Sequence, residues 1–405
     1  MLGSSTTLLL AAALGANAQT LYEAISRIPV LSNFTAFYRN NEAFANLYFK
    51  NESNYPITFL APDDKAFASY QAQFNTPFTD VPPQQLLDLL QYHTLVSDVT
   101  KSKLDEGSAA GLSVPTLLTN GKFNNRSVGV SMAAKFGGDE RASGQVVFIK
   151  GENAGPSSKF RLMTRQDSVL QSSVRSGMSS DVNLTVLGDK EGVWSGGRFH
   201  IVDGLLTPPT LCKDTIRDAG LSNLDNALNR TKLWDTLDSS KNVTCLGPND
   251  KAFGDAGRPD AKLNETALTG AIMFHTLPEV TYSDYLKDGQ EFKSLQNGTV
   301  RVKIEGSGKN RTIWFNNARV VDANVLTHNG LVHVLDAVMV PLEDMNSRAS
   351  ATPSSTPSAT ETRTGTGTSA ATSSAAGKSV IASVGTRAWT WIMYMLVGAL
   401  VGIIE

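Results

Sequence analysis

Two tandem α+β domains are the fold class this sequence predicts, and internal repetition predicts them. Ala61-Pro62-Asp63-Asp64-Lys65-Ala66-Phe67 returns as Gly247-Pro248-Asn249-Asp250-Lys251-Ala252-Phe253, 186 residues later. Tyr92-His93-Thr94-Leu95 returns as Phe274-His275-Thr276-Leu277, and Gly197-Arg198-Phe199-His200-Ile201-Val202-Asp203 as Gly330-Leu331-Val332-His333-Val334-Leu335-Asp336. Three motifs in one order, twice over, exclude coincidence, and 405 residues suit two domains with cores of their own.

Each first motif follows an apolar run, Ile57 to Leu60 and Val243 to Leu246, which reads as a strand entering a proline turn. Asp63 or Asp64 caps the helix that follows, with Ala66 and Phe67 turned inward, and Asp250 does the same in the second copy. A paired-carboxylate site at Asp63 and Asp64 is the weaker reading, because adjacent residues at a helix start do not face each other. Leu86, Leu87, Leu89 and Leu90 recur at helical spacing, so His93 falls where a helix meets the core, and His275 follows Ala271 to Phe274 likewise. General-base chemistry is one reading of these histidines. The favoured one is an imidazole bonded to backbone groups, since no nucleophile recurs beside it.

The closing motif alternates apolar and polar residues around His200 and His333, then stops at Pro208-Pro209 and at Pro341, as a strand and its end would. On a strand Asp203 points away from His200, and His328 away from His333, which argues against a His-Asp pair and against a metal site. The chain has no G-x-S-x-G, no H-E-x-x-H and no complete phosphate-binding loop. A non-enzyme without cofactor or metal is expected.

Over roughly residues 20 to 342 these motifs resemble the fasciclin (FAS1) family, with its T-x-F-A-P-x-D-x-A-F, central Tyr-His and closing G-x-x-H-x-x-D-x-x-L-x-P. The resemblance implies that each domain is a β-sheet wedge with packed helices. It also implies that Asp63, Asp64, Phe67, Tyr92, His93, His200, Asp203, Asp250, Phe253, His275, His333 and Asp336 serve the fold. In that family, peptides just before the closing motif have been linked to adhesion receptors; here that stretch is Asp322 to Gly330, with Asn324, Val325 and Leu326 as the contact, although it carries no Arg-Gly-Asp and an alternating apolar strand explains it equally well. The second copy departs at Cys245-Leu246-Gly247, where the first has Phe59-Leu60-Ala61, and at Phe274 in place of the tyrosine.

With 36 Lys and Arg against 38 Asp and Glu, the net charge of −2 offers no field for nucleic acid. Residues 1–18, apolar from Leu8 to Leu14 and ending Ala16-Asn17-Ala18, read as a signal peptide without its basic start. The first domain is then 19–207 and the second 208–345. Asn33, Asn51, Asn125, Asn183, Asn229, Asn242, Asn264, Asn297 and Asn310 head nine N-glycosylation sequons. In an oxidising compartment Cys212 and Cys245 are expected to form a disulfide, the alternative being two buried thiols. His93 to His200 spans 107 residues and His275 to His333 only 58, so the first copy carries an insertion, placed at about 120–180. Nine Lys or Arg against four Asp or Glu within 122–175 make it either a surface hairpin or a loop drawn to acidic polysaccharide.

From Ser347 to Lys378, 16 of 32 residues are Ser or Thr, which makes 346–377 a disordered stalk. Small residues at Ser374 and Ala375, a spacer, and an uncharged run of 17 residues from Ala388 to Ile404 read 378–405 as a GPI signal, with a membrane anchor as the alternative. The function expected is adhesion or organisation of the cell surface or matrix, at the outer plasma membrane or cell wall, with protein or polysaccharide partners. A lumenal, vacuolar or endomembrane tether is the alternative.

Overall fold

A computed structural model describes residues 19–75, 77–107, 110–151 and 172–343. The first copy contributes β1 (Ile57–Pro62), β2 (Thr94–Leu95), β3 (Leu112–Pro115), β4 (Val146–Lys150), β5 (Ser173–Arg175), β6 (Asp181–Thr185), β7 (Val193–Trp194) and β8 (Gly197–Val202). The second contributes β9 (Val243–Pro248), β10 (Thr276–Leu277), β11 (Glu291–Lys293), β12 (Thr299–Glu305), β13 (Thr312–Phe315), β14 (Ala318–Thr327) and β15 (Gly330–Leu335). The sheets run β2-β1-β8-β6-β5-β4-β3 and β10-β9-β15-β14-β13-β12-β11, the same path twice, with β7 added on β8. The expected pair of α+β domains is therefore present in matching topology.

At the centre of each sheet the first and closing motifs pair in parallel, Ile57 opposite Gly197 and Val243 opposite Gly330. That pairing explains the glycine that opens each closing motif. A Cβ on Gly197 would lie 2.1 Å from the Ile57 carbonyl oxygen, and one on Gly330 1.9 Å from that of Val243. Every residue of β1, β9 and β15 is buried, as continuous apolar runs with both faces covered require.

Successive side chains on these strands enter different cores, because a strand alternates faces. Phe59 and Ala61 pack with the N-terminal helices, beside Phe34 and Phe49, while Leu60 enters a second cluster with Tyr92, Val114 and Val202. In the second copy Val243 and Cys245 pack among helices and Leu246 enters the sheet side with Phe274 and Phe315. The insertion is not one block at 120–180. The extra length is shared among 116–145 against 294–298, 151–172 against 306–311, and 186–196 against 328–329. Of these, 116–145 carries the helix Val130–Phe136 and lies against the second domain.

Candidate functional site

The four repeated histidines are buried and fully bonded. His93 donates from Nδ1 to the Leu60 carbonyl at 2.7 Å, and its Nε2 accepts from the Leu206 amide at 2.9 Å. His275 repeats this with the Ala271 carbonyl and the Met339 amide, both at 2.8 Å. His200 and His333 carry the proton on Nε2 instead, donating to the Val99 and Thr281 carbonyls at 2.8 Å and accepting on Nδ1 from Leu187 and Asn324. His93 and His275 thus hold the stretch after the closing motif, and His200 and His333 the stretch after the central one. Burial holds the pKa of His93, His275 and His333 down at about 4 and lowers that of His200. A neutral ring with both nitrogens committed has no lone pair left for a substrate proton.

The motif carboxylates are structural too. Asp63 caps the helix Asp64–Phe74, accepting from the Ala66 amide at 2.9 Å, while Asp64 takes the Asn33 amide and the Ser32 hydroxyl. In the second copy the expected cap moves by one residue. Asn249, not Asp250, accepts from Ala252 at 2.8 Å, and Asp250 takes the Asn223 amide, the counterpart of the Asp64 contact. An asparagine oxygen caps as well as a carboxylate, which frees Asp250 to hold the start of the helix Ser222–Thr231. Asp203 binds the Asn183 backbone and side chain, and Asp336 those of Arg319, so each closing motif ends by clasping the next strand of its sheet. Among the described residues no group of three His, Cys, Asp or Glu could hold a metal ion.

Asn324, Val325 and Leu326 are not a receptor contact on an open surface. They are 0 %, 1 % and 0 % exposed, because both faces of β14 are covered here, Val325 packing in the helical core of the second domain and Leu326 in the core of the first. Asn324 holds Ser283 with both ends of its amide, at 3.0 and 2.7 Å. Leu326, with Leu331 and Tyr282, belongs to the core of the first domain and bridges to Gly177. Each such buried side chain contributes on the order of 2 kcal/mol to the docking of the two domains.

Polar groups fix its register. Arg175 of β5, 1 % exposed, donates to the Asp322 carboxylate and, at 2.7 Å, to the Ala323 carbonyl of the second domain, while its other nitrogens meet Asp181 at 3.1 Å. Burial works against its charge, but Asp322 and Asp181 outweigh it and raise the pKa. Ser113 donates backbone and hydroxyl to Asp284 at 2.9 and 2.6 Å. From the inserted connection, the Asn125 amide reaches the His328 carbonyl at 2.7 Å, the Ser127 amide reaches Asn242 at 2.6 Å, and Gln145 reaches the Thr327 and His328 carbonyls. Arg175, Ser113, Gln145 and Asp284 lie outside the repeated motifs, and only the basic character of 122–175 hinted at one of them.

Cys212 and Cys245 are free thiols in one apolar cluster, so the expected disulfide is corrected to two small buried side chains. Burial raises both pKa values, that of Cys245 to about 12, which keeps them protonated and inert. Asn33, Asn51, Asn229, Asn264, Asn297 and Asn310 are exposed. Asn125, Asn183 and Asn242 are half-buried, the side-chain amides of the first two donating to Ser239 and Asp203 and the oxygen of the third accepting from Ser127. The signal peptide, the stalk, the GPI tail and its attachment residues Ser374 and Ala375 lie outside the described residues. Among the described residues no helix is long and apolar enough to cross a membrane.

A family model described as the Fasciclin domain matches residues 6–149 and 219–341. A fasciclin-like arabinogalactan protein, CTB11, of Cercospora beticola is 26% identical over 162 residues, 40% of this chain and 42% of its own length. Transforming growth factor-beta-induced protein ig-h3 of Sus scrofa is 29% identical over 158 residues, 38% of this chain and 22% of its own. The chain thus spans less than half the length of these relatives. A solved FAS1 domain pair from the insect cell adhesion molecule fasciclin I, at 16% identity and a TM-score of 0.35, covers 78% of this chain and 98% of its own.

Proposed function

This chain belongs to the fasciclin family, and from that premise we propose that it acts without catalysis, as a glycosylated adhesion module that organises the cell surface or matrix. The observation that carries the reading is the junction: the side chains of Leu326, Leu331 and Tyr282 complete the core of the first domain, which makes the pair one body. A body of that kind passes load between a partner at one end and an anchor at the other. The motif histidines and carboxylates are spent on holding backbone, which favours a binding role over chemistry. In this reading residues 1–18 direct secretion, exposed sequons carry glycans, 346–377 lifts the pair from the membrane, and 378–405 is exchanged for a GPI anchor near Ser374 or Ala375. Partners are surface or matrix proteins or polysaccharide, and many weak contacts on one surface gain strength by avidity.

The test is display of the full chain on non-adherent cells, before and after phosphatidylinositol-specific phospholipase C. Adhesion that appears with the chain and disappears with the lipase supports the reading. Well-displayed protein that holds no cell or matrix overturns it and leaves the lumenal tether, for which a retained C-terminal segment would be the mark.

A further inference from the structure

Between the inserted connection and the second domain lies a cleft of about 320 Å³ that the adhesion reading does not use. Val128, Met132, Val280, Leu286 and Phe292 wall it, and Val130 lines it while 88 % exposed to solvent. Against these apolar walls the chain sets Arg126, only 8 % exposed. Its guanidinium donates to the Ala142 and Gly144 carbonyls and touches the Met132 sulfur, and makes no ion pair among the described residues. A buried cation is ordinarily matched by an anion, because its desolvation is otherwise uncompensated. Three further donors on lining residues, each buried from solvent, have no partner among the described residues: Arg126 Nε and the hydroxyls of Tyr282 and Tyr285. Lys135, 5.0 Å from the centre of the Tyr285 ring, adds positive charge nearby. Glu279 is the acidic residue of the lining, and burial raises its pKa, so it opposes the site least in its neutral form.

We propose that this cleft binds a small organic anion with an apolar body, a carboxylate or sulfonate amphiphile, its head held by Arg126, Tyr282 and Tyr285 and its body lying along Val128, Met132 and Phe292. The planar fork of a guanidinium suits a carboxylate or sulfonate, and the volume lies at the small end of ligand pockets. The head neutralises Arg126 where no side chain does, and the body covers apolar surface that the two domains leave open.

The test uses the full chain and 1-anilinonaphthalene-8-sulfonate, an anion on an apolar ring system, followed by fluorescence. Expected are saturable binding of one probe per chain, displacement by decanoate, and at least tenfold weaker displacement by decan-1-ol, which has the tail without the charge. Ser131→Trp, at an exposed lining position, should abolish binding with an unchanged circular dichroism spectrum. Arg126→Gln should weaken it about tenfold, and if that variant fails to fold, Arg126→Lys is expected to weaken it severalfold. Binding that never saturates, that survives Ser131→Trp, or that decan-1-ol displaces as well as decanoate overturns the proposal.

Discussion

Acid should weaken this fold through its histidines, and the size of the effect follows from their bonds. His93, His275 and His333 have pKa values held at about 4 in the folded chain, because burial disfavours the charged ring, and a second proton on any of them would also break a bond to a buried amide. In the unfolded chain the same groups titrate near 6.5. A folded pKa below the unfolded one means that the stabilisation is complete above about pH 6.5 and is lost as pH falls toward 4. At pH 5.5 unfolding takes up roughly 0.9 proton per ring, a slope of about 1.2 kcal/mol per pH unit for each histidine. Between pH 7.5 and 4.5 each loses about 2 to 3 kcal/mol, and three together approach the 5 to 15 kcal/mol typical of a whole domain. Asp284, Asp238 and Glu279, whose pKa values burial raises, work in the opposite sense and trim the total. The clean measurement is therefore a difference. Urea unfolding of the parent and of His275→Gln, followed by tryptophan fluorescence from pH 5.0 to 7.5, should give slopes that differ by about 1 kcal/mol per pH unit near pH 5.5. Equal slopes would mean that His275 is not held neutral in the fold, and the argument for the other rings would fall with it.

Arg175→Ala strands Asp322 and leaves Asp181 to Lys150 alone, and breaking a buried pair costs about 3 to 5 kcal/mol; the partial exposure of Asp322, 19%, places the expected loss at the lower end, and the double variant with Asp322 also changed to alanine should recover part of it in thermal unfolding. Cys245 borders an apolar recess of about 30 Å³ where the first copy has Phe59, so Cys245→Val should leave stability within about 1 kcal/mol of the parent or raise it, whereas Cys245→Ser, which buries a hydroxyl, should cost about 1 to 3 kcal/mol in the same assay. Peptide mapping after glycosidase treatment should find carbohydrate on Asn51, Asn264, Asn297 and Asn310 and none on Asn125, Asn183 or Asn242, whose side chains serve the junction or a strand pair. Occupied Asn125 and Asn242 in folded protein would contradict the junction as described.

The domains were legible because repetition and burial coincide: β1, β9 and β15 are covered on both faces, so their apolar runs stand out, and the glycines opening β8 and β15 mark the parallel crossing. Asn249 and Asp250 are not separable in the sequence, because either side chain caps a helix and periodicity does not rank them. Asn324 to Leu326 misled for a related reason, since an alternating strand reads the same whether its outer face meets solvent or a second domain. Arg175, Ser113 and Asp284 do not stand out in the sequence because they lie outside the three repeated motifs, on segments whose side chains the two copies do not share even where the strands correspond. The total of the inserted length was readable from the spacing of the histidines, but not its division among three connections.

The parallel pairing of β9 with β15 has a mechanical consequence. In the proposed reading a stalk at 346–377 follows shortly after β15, whereas force from the first domain enters the second ahead of β9. Tension between those ends slides the two strands along each other, and the six register pairs from Gly330 opposite Val243 to Leu335 opposite Pro248 are loaded together rather than peeled one by one. A sheet sheared in this way resists rupture better than one unzipped from its edge, which suits a tether that must hold under pull.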